Sequence, residues 1–282
     1  MKKLIIMSLL CILLVAASAQ AATSFSKNSF KDFTLHTYVS DDPLGDVSFI
    51  IESKNKLVIL EPQAFNKNIT ELNEYAAKLN KPLAAVLVSY HAGGVNHYDG
   101  EKIITKPMDG FMHSEHGQGM VSYFGKIFKG QMDLDPATYD KKIAANAKLV
   151  IDGVSYQYSP SAVPGMPGSN ISINDKVLYT HFAPAAGSHV SEHLINSKAS
   201  IDGALADAKM AQQGNYEIYV GSHFPGKGNK ADVDFLVGYL QSLKKAAGQT
   251  SSASDIIKYM NNAYPNLENS ESLNKIAASI TK

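Results

Sequence analysis

The stretch Leu83-Ala84-Ala85-Val86-Leu87-Val88-Ser89-Tyr90-His91-Ala92-Gly93-Gly94 decides the fold. LAAVLVS is an unbroken apolar run of strand length, the pattern of a strand covered on both faces. It stops at a turn holding Tyr90, His91 and two glycines. An imidazole therefore stands where a buried strand feeds a loop, the place where a rigid scaffold presents ligands.

Upstream, residues 33–60 read as three antiparallel strands: FTLHTYV, VSFIIES and LVIL, joined at Asp41–Asp46 and at Lys54-Asn55-Lys56. Glu61 ends the third, and Asn68 to Lys81 shows apolar residues at helical spacing. Downstream, short strands at 102–105, 148–151, 154–158, 170–173, 177–181 and 217–220 alternate with helices at 120–128, 200–213 and 230–246. Two short amphipathic helices are predicted on either side of Tyr264-Pro265. Strand hairpins and helices interleave in two halves, which predicts an α/β (α+β) fold of four αββα layers, two mostly antiparallel sheets flanked by helices. The predicted organisation is a signal segment at 1–21, one domain over 22–250, and a helical tail at 251–282 packed on it.

Nine histidines are present. His91, His181 and His223 each follow or end a strand, and three in equivalent positions point to a shared ligand role more strongly than any one alone. The order of elements and three local motifs resemble the metallo-β-lactamase superfamily. The motifs are the LAAVLVS strand with its histidine and Gly-Gly turn, Pro164-Gly165-Met166-Pro167-Gly168-Ser169 before a hairpin ending at His181, and Tyr219-Val220-Gly221-Ser222-His223-Phe224-Pro225-Gly226 before a long helix. The resemblance implies a sandwich with a metal centre, usually two zinc ions, on a His-x-His-x-Asp-His turn, a Pro-Gly-His segment, a bridging Asp and a last histidine. Here that pattern is eroded. Of the first turn only His91 survives, Met166 stands in place of the second segment's histidine, His181 replaces the bridging Asp, and His223 alone matches cleanly.

A thioether is a poor zinc ligand, and an imidazole in place of a bridging carboxylate leaves two divalent ions under-compensated. The expectation is therefore one divalent metal, zinc, on His91, His181 and His223, with His113 and His116 as additional candidates, or no metal at all. His91 is expected as ligand or proton shuttle, and Tyr90 as a hydrogen-bond donor near a developing oxyanion. The corresponding function is a divergent hydrolase of a small ester, amide, lactone or phosphoester. The alternative is a non-catalytic binding protein that kept the pocket and lost the metal. Met166, Met112 and Met120 raise copper as a softer choice, though filling apolar gaps is the commoner use of Met. His189 to His193 matches a His-x-x-Glu-His zinc-peptidase pattern but reads as a solvated helix face, and the acidic turn Asp41, Asp42, Asp46 reads as a plain turn.

Composition removes other classes. The chain of 282 residues balances 26 basic against 26 acidic side chains, so it carries no surplus for phosphate neutralisation, and nucleic acid is excluded as an expected partner. Every basic residue is Lys, which removes the bidentate Arg clamp for anions. A small-molecule ligand or substrate is the expected partner; the sequence does not specify an oligomeric state. Met1-Lys2-Lys3, the apolar run Leu4–Ala17 and Ala19-Gln20-Ala21 form the three regions of a cleaved signal peptide, too short in its apolar part for the roughly 20 residues of a membrane anchor. Periplasmic or secreted location is expected. Cleavage after Ala21 removes Cys11, the one cysteine, so the core alone holds the fold.

Overall fold

A computed structural model describes residues 23–281; the signal segment and Cys11 lie outside the described residues. The first half lays down β1 (Ser24–Ser29), β2 (Thr34–Val39), β3 (Val47–Glu52), β4 (Leu57–Leu60), α1 (Asn66–Lys78), β5 (Leu83–Val88), β6 (Glu101–Thr105), α2 (Lys106–Met112), α3 (Glu115–Phe128) and β7 (Lys141–Ile143). The second half adds β8 (Lys148–Ile151), β9 (Val154–Pro160), β10 (Ser169–Ile173), β11 (Val177–Phe182), α4 (Lys198–Gln213), β12 (Ile218–His223), β13 (Lys227–Gly228) and α5 (Lys230–Gln249). It closes with α6 (Ala253–Ala263) and α7 (Ser270–Ile280).

The strands form a seven-stranded sheet, β1 to β7 in chain order, and a six-stranded sheet in the order β13-β12-β11-β10-β9-β8. Short turns join β1 to β4 in an antiparallel meander. After Glu61 the chain crosses over through α1, and β4, β5, β6 and β7 then pair in parallel. Parallel neighbours need such a crossover, and they place the strand ends on one rim. In the second sheet only β11 and β12 run parallel, again across a helix, α4.

Side-chain alternation builds the layers. Phe49, Ile51, Val58 and Leu60 point inward against Tyr156, Ile171, Ile173, Tyr179 and Val220 of the other sheet. Their neighbours Ile50, Ile59, Val86 and Val88 point outward against Leu72 and Ala76 of α1 and Met108 of α2. On the opposite side Leu178 and Tyr219 meet Ala211 and Val233 of α4 and α5. The helices α4 to α7 share a further cluster that buries Leu240, Leu243, Ile256, Met260, Leu273 and Ile276. The result is the predicted αββα sandwich. Three elements had no expectation in the sequence: β1, exposed along most of its length, and the very short β7 and β13. The helix α2 was also unexpected; its first turn holds Pro107, and Thr105 caps it by accepting from the Met108 amide.

The two sheets are tied at one end by Asp152, in the turn between β8 and β9. Its carboxylate accepts from the Asn55 side chain at 3.0 Å, from Ser53 at 2.7 Å and from the Asn55 backbone at 2.6 Å. Those hydrogen bonds, Asn55's first, hold its pKa down to about 2. Because the folded-state value lies below the unfolded one, the stabilisation is complete above the ordinary carboxylate pKa, near 3.9, and is lost as pH falls through about 2. Urea midpoints measured between pH 2 and 5 should therefore rise with pH more steeply in the parent than in Asp152→Asn.

Candidate metal centre

The site begins with a carboxylate. Glu61 leaves β4 in the left-handed region, at φ 59°, which turns its side chain under the end of β5. There it is fully buried and accepts the backbone N–H of Ser89 at 2.7 Å, of Tyr90 at 3.1 Å and of His91 at 2.6 Å. Burial pushes its pKa up to about 7, against the pull of these backbone donors, His91's the strongest. Gly94 completes the turn at φ 70°, where an added Cβ would lie 2.0 Å from the Gln63 carbonyl oxygen. The turn is thus fixed from both sides, and His91 is aimed at the cleft between the sheets.

The other two histidines come from the parallel pair β11 and β12, whose register sets Phe182 beside His223. The Ser222 hydroxyl donates to the His181 carbonyl at 3.1 Å, pinning the two strand ends together. Three Nε2 atoms then converge: His91 to His223 at 3.3 Å and His223 to His181 at 3.1 Å, with the ligand atoms of all three within 4.8 Å of one another. Tetrahedral zinc with nitrogen at about 2.0–2.1 Å needs neighbouring donors about 3.4 Å apart, and the two separations to His223 lie close to that value. Burial, and then the mutual repulsion of the rings, holds the pKa of His91 and His181 well below the usual imidazole value; burial brings His223 down to about 4. Neutral imidazole is the ligand form.

Asp46 supplies the support the sequence reading missed. It opens β3, pairs backbone to backbone with His223, and is buried. Its Oδ1 lies 3.3 Å from His223 Nδ1 and 3.8 Å from His91 Nδ1, and makes no hydrogen bond of good geometry. A carboxylate behind the Nδ1 atoms favours the tautomer that leaves Nε2 free for a metal. Burial, with repulsion from Asp42 and Glu61, raises the Asp46 pKa far above the carboxylate range. The ion pairs of Asp46 and Glu61 among the described residues are to imidazoles alone. Asp46 and Glu61 are thus two buried acids beside three imidazoles, and would balance one divalent cation once its binding had drawn off their protons. An acid directly before the buried run VSFII was the available signal, of the same kind as the strand-end histidines.

Tyr90 stacks flat on His181, with ring centroids 4.1 Å apart and planes 3° apart, while its hydroxyl is hydrogen-bonded to Ser161. Phe182 lies against both His181 and His223. His113 and His116 are not brought into the group. His113 is exposed at the C-terminus of α2, its Nδ1 bonding the Asp109 carbonyl, and His116 sits on α3 beside Phe111. The segment from His189 to His193 is not helical, which corrects the expected helix face. His189 is buried against the Tyr239 hydroxyl, and Glu192 binds Ser272 and Lys275 of α7.

No family model and no curated protein matches the chain. Solved structures do. A double mutant of the sec-alkyl sulfatase PisA1 aligns with a TM-score of 0.63 at 14% identity, over 91% of this chain and 49% of that one. The metallo-β-lactamase FIM-1 from Pseudomonas aeruginosa, in its mono-zinc form, gives 0.53 at 12% identity, over 80% and 97%. A flavo di-iron protein from Thermotoga maritima gives 0.52 at 12%, over 80% and 63%. The chain has the metallo-β-lactamase fold. It spans about half the length of the alkyl sulfatase. Within the metallo-β-lactamase fold, three strand-end histidines meet at the cleft between the sheets, while Met166 packs against the α4–α7 cluster.

Removing the Glu61 carboxylate leaves buried backbone donors unsatisfied, at a cost of about 1–3 kcal/mol. Glu61→Ala should lower the urea unfolding free energy by that amount, and amide exchange should show the loss concentrated at Ser89, Tyr90 and His91.

Proposed function

We propose that this protein is an exported metal-dependent hydrolase of small ester, amide, lactone or phosphoester substrates, using one divalent ion, zinc, held by His91, His181 and His223. The observation that carries the reading is the convergence of three Nε2 donors, two of their separations close to tetrahedral spacing, with a buried acid behind two of the rings. Zinc bound there would supply Lewis acidity toward a carbonyl or phosphoryl oxygen and would activate water for attack. Three protein ligands leave a fourth position for substrate or water.

The chain's own residues do the rest. His223 Nδ1 is hydrogen-bonded to the Leu44 carbonyl, and Asp46 stands behind the Nδ1 atoms of His223 and His91, an arrangement that keeps Nε2 free on both. Glu61 fixes the turn from which His91 projects. His91 acts as a ligand rather than a proton shuttle, since its Nε2 is one of the converging donors. Tyr90 is a positioning residue: its ring covers one face of His181. Met1-Lys2-Lys3, the apolar run and Ala19-Gln20-Ala21 support export to the periplasm or beyond. No helix among the described residues is long and apolar enough to cross a membrane. Small molecules rather than nucleic acids are the partners, in keeping with the balanced charge.

Elemental analysis of the purified protein should find one zinc per chain, and chelation should abolish ester hydrolysis until zinc is restored. Zinc at 100 times its Kd should stabilise the parent by about 2.7 kcal/mol, and His223→Ala by nothing measurable. Asp46→Asn should weaken zinc binding about 10- to 100-fold. A chain that takes up no divalent ion, and is stabilised by organic ligands alone, would instead be a non-catalytic binding protein.

A further inference from the structure

A second feature adjoins the metal centre. Between the outer face of β11 and β12 and the helices α4 and α5 lies a narrow cavity of about 60 Å³. His181 and Tyr90 stand in its wall, so the ring that faces the other two histidines also bounds this space. Most of the remaining wall is apolar, including Met166, Phe182, Leu194, Ala208, Val233 and Leu236. Phe182 makes the wall continuous with the metal centre: its ring is 4.4 Å from that of His181 and stacks at 5.1 Å on that of His223.

Part of the polar wall is paired within itself, while Asn170, also in the wall, has a buried Nδ2 that makes no hydrogen bond of good geometry. Asp207 accepts from the Ser161 hydroxyl at 2.8 Å and from the Ala162 backbone at 3.1 Å, and Ser161 also bonds Tyr90. No lysine lines the cavity, and the chain contains no arginine. A phosphate or carboxylate placed there would lose its hydration, find no cation, and face the Asp207 carboxyl. A hydrocarbon chain would lose nothing and would gain about 0.8 kcal/mol per buried methylene, roughly a fourfold change in Kd.

We propose that this cavity is the subsite for an uncharged alkyl or acyl chain, which narrows the substrates of the metal centre to neutral esters or lactones carrying a short, unbranched apolar tail. The subsite takes the hydrolase reading as its premise for the chemistry, but not for binding. In the reaction, water adds to the acyl carbon and the acyl C–O bond breaks. The acid keeps the water's hydroxyl and the alcohol leaves with a proton; a lactone opens to the hydroxy acid in the same way.

Chemical-shift titration of the full chain, with and without zinc, with straight-chain alcohols from ethanol to octanol reads the subsite directly. The Kd should fall about three- to fourfold per methylene up to a cut-off. Ala208→Leu, which fills the cavity from α4, should move the cut-off to shorter chains, and Met166→Ala should move it to longer ones. The chain-length profile of kcat/KM on neutral esters should shift the same way in each variant. Affinity independent of chain length, or a cut-off unmoved by both substitutions, would overturn the subsite. An alkyl phosphate that binds the metal-free chain more tightly than the alcohol of equal length would overturn its neutral character. Chain-length selectivity retained without any zinc-dependent hydrolysis would uphold the subsite and remove the hydrolase reading instead.

Discussion

The structure turns on one buried carboxylate. Glu61 sits at the junction between the antiparallel meander and the parallel half of the first sheet, and three consecutive backbone N–H groups of the turn after β5 close on it. Backbone donors at a buried turn must be paired, and no sheet neighbour reaches them here. Glu61 pairs them at the expense of its own solvation, and the left-handed conformation at that residue is what brings the carboxylate underneath. The direction of His91 follows from this contact, and with it the geometry of the centre.

The other half of the centre depends on strand direction. Because β11 and β12 run parallel, their C-terminal ends lie side by side, and the histidines that finish them are neighbours. An antiparallel pairing would have put His181 and His223 at opposite ends of the sheet. The crossover through α4 that makes the pairing parallel also sets the helices over the outer face of the sheet, where the cavity beside His181 is enclosed. The meeting of His181 with His223 and the apolar cavity are consequences of the same connection.

Charge ties the two halves together. The three converging side chains are imidazoles, whereas the groups behind them, Asp46 and Glu61, are buried acids. Placing the compensating charge behind the ligands is the arrangement in which outer groups orient the inner ones and set their basicity.

Period and punctuation in the sequence determined most of the elements: the apolar run of β5, the meander of β2 to β4, the hairpins about Asp152-Gly153 and Asn174-Asp175, and the helices α1, α4 and α5. Such features are local, and local propensity writes them into consecutive residues. The same logic picked out His91, His181 and His223 as strand-end residues. It kept His113 and His116 as additional candidates, and it passed over Asp46, since a carboxylate in a turn looks alike whether it faces water or an imidazole 177 positions away, that of His223. It read Tyr90 by its hydroxyl, while the stacking of its ring on His181 lay beyond local pattern. Residue types and their place along each strand were fixed by the chain itself; which of them meet was decided by sheet pairing and layer packing, because contacts between distant segments depend on strand direction and register, which no single segment encodes.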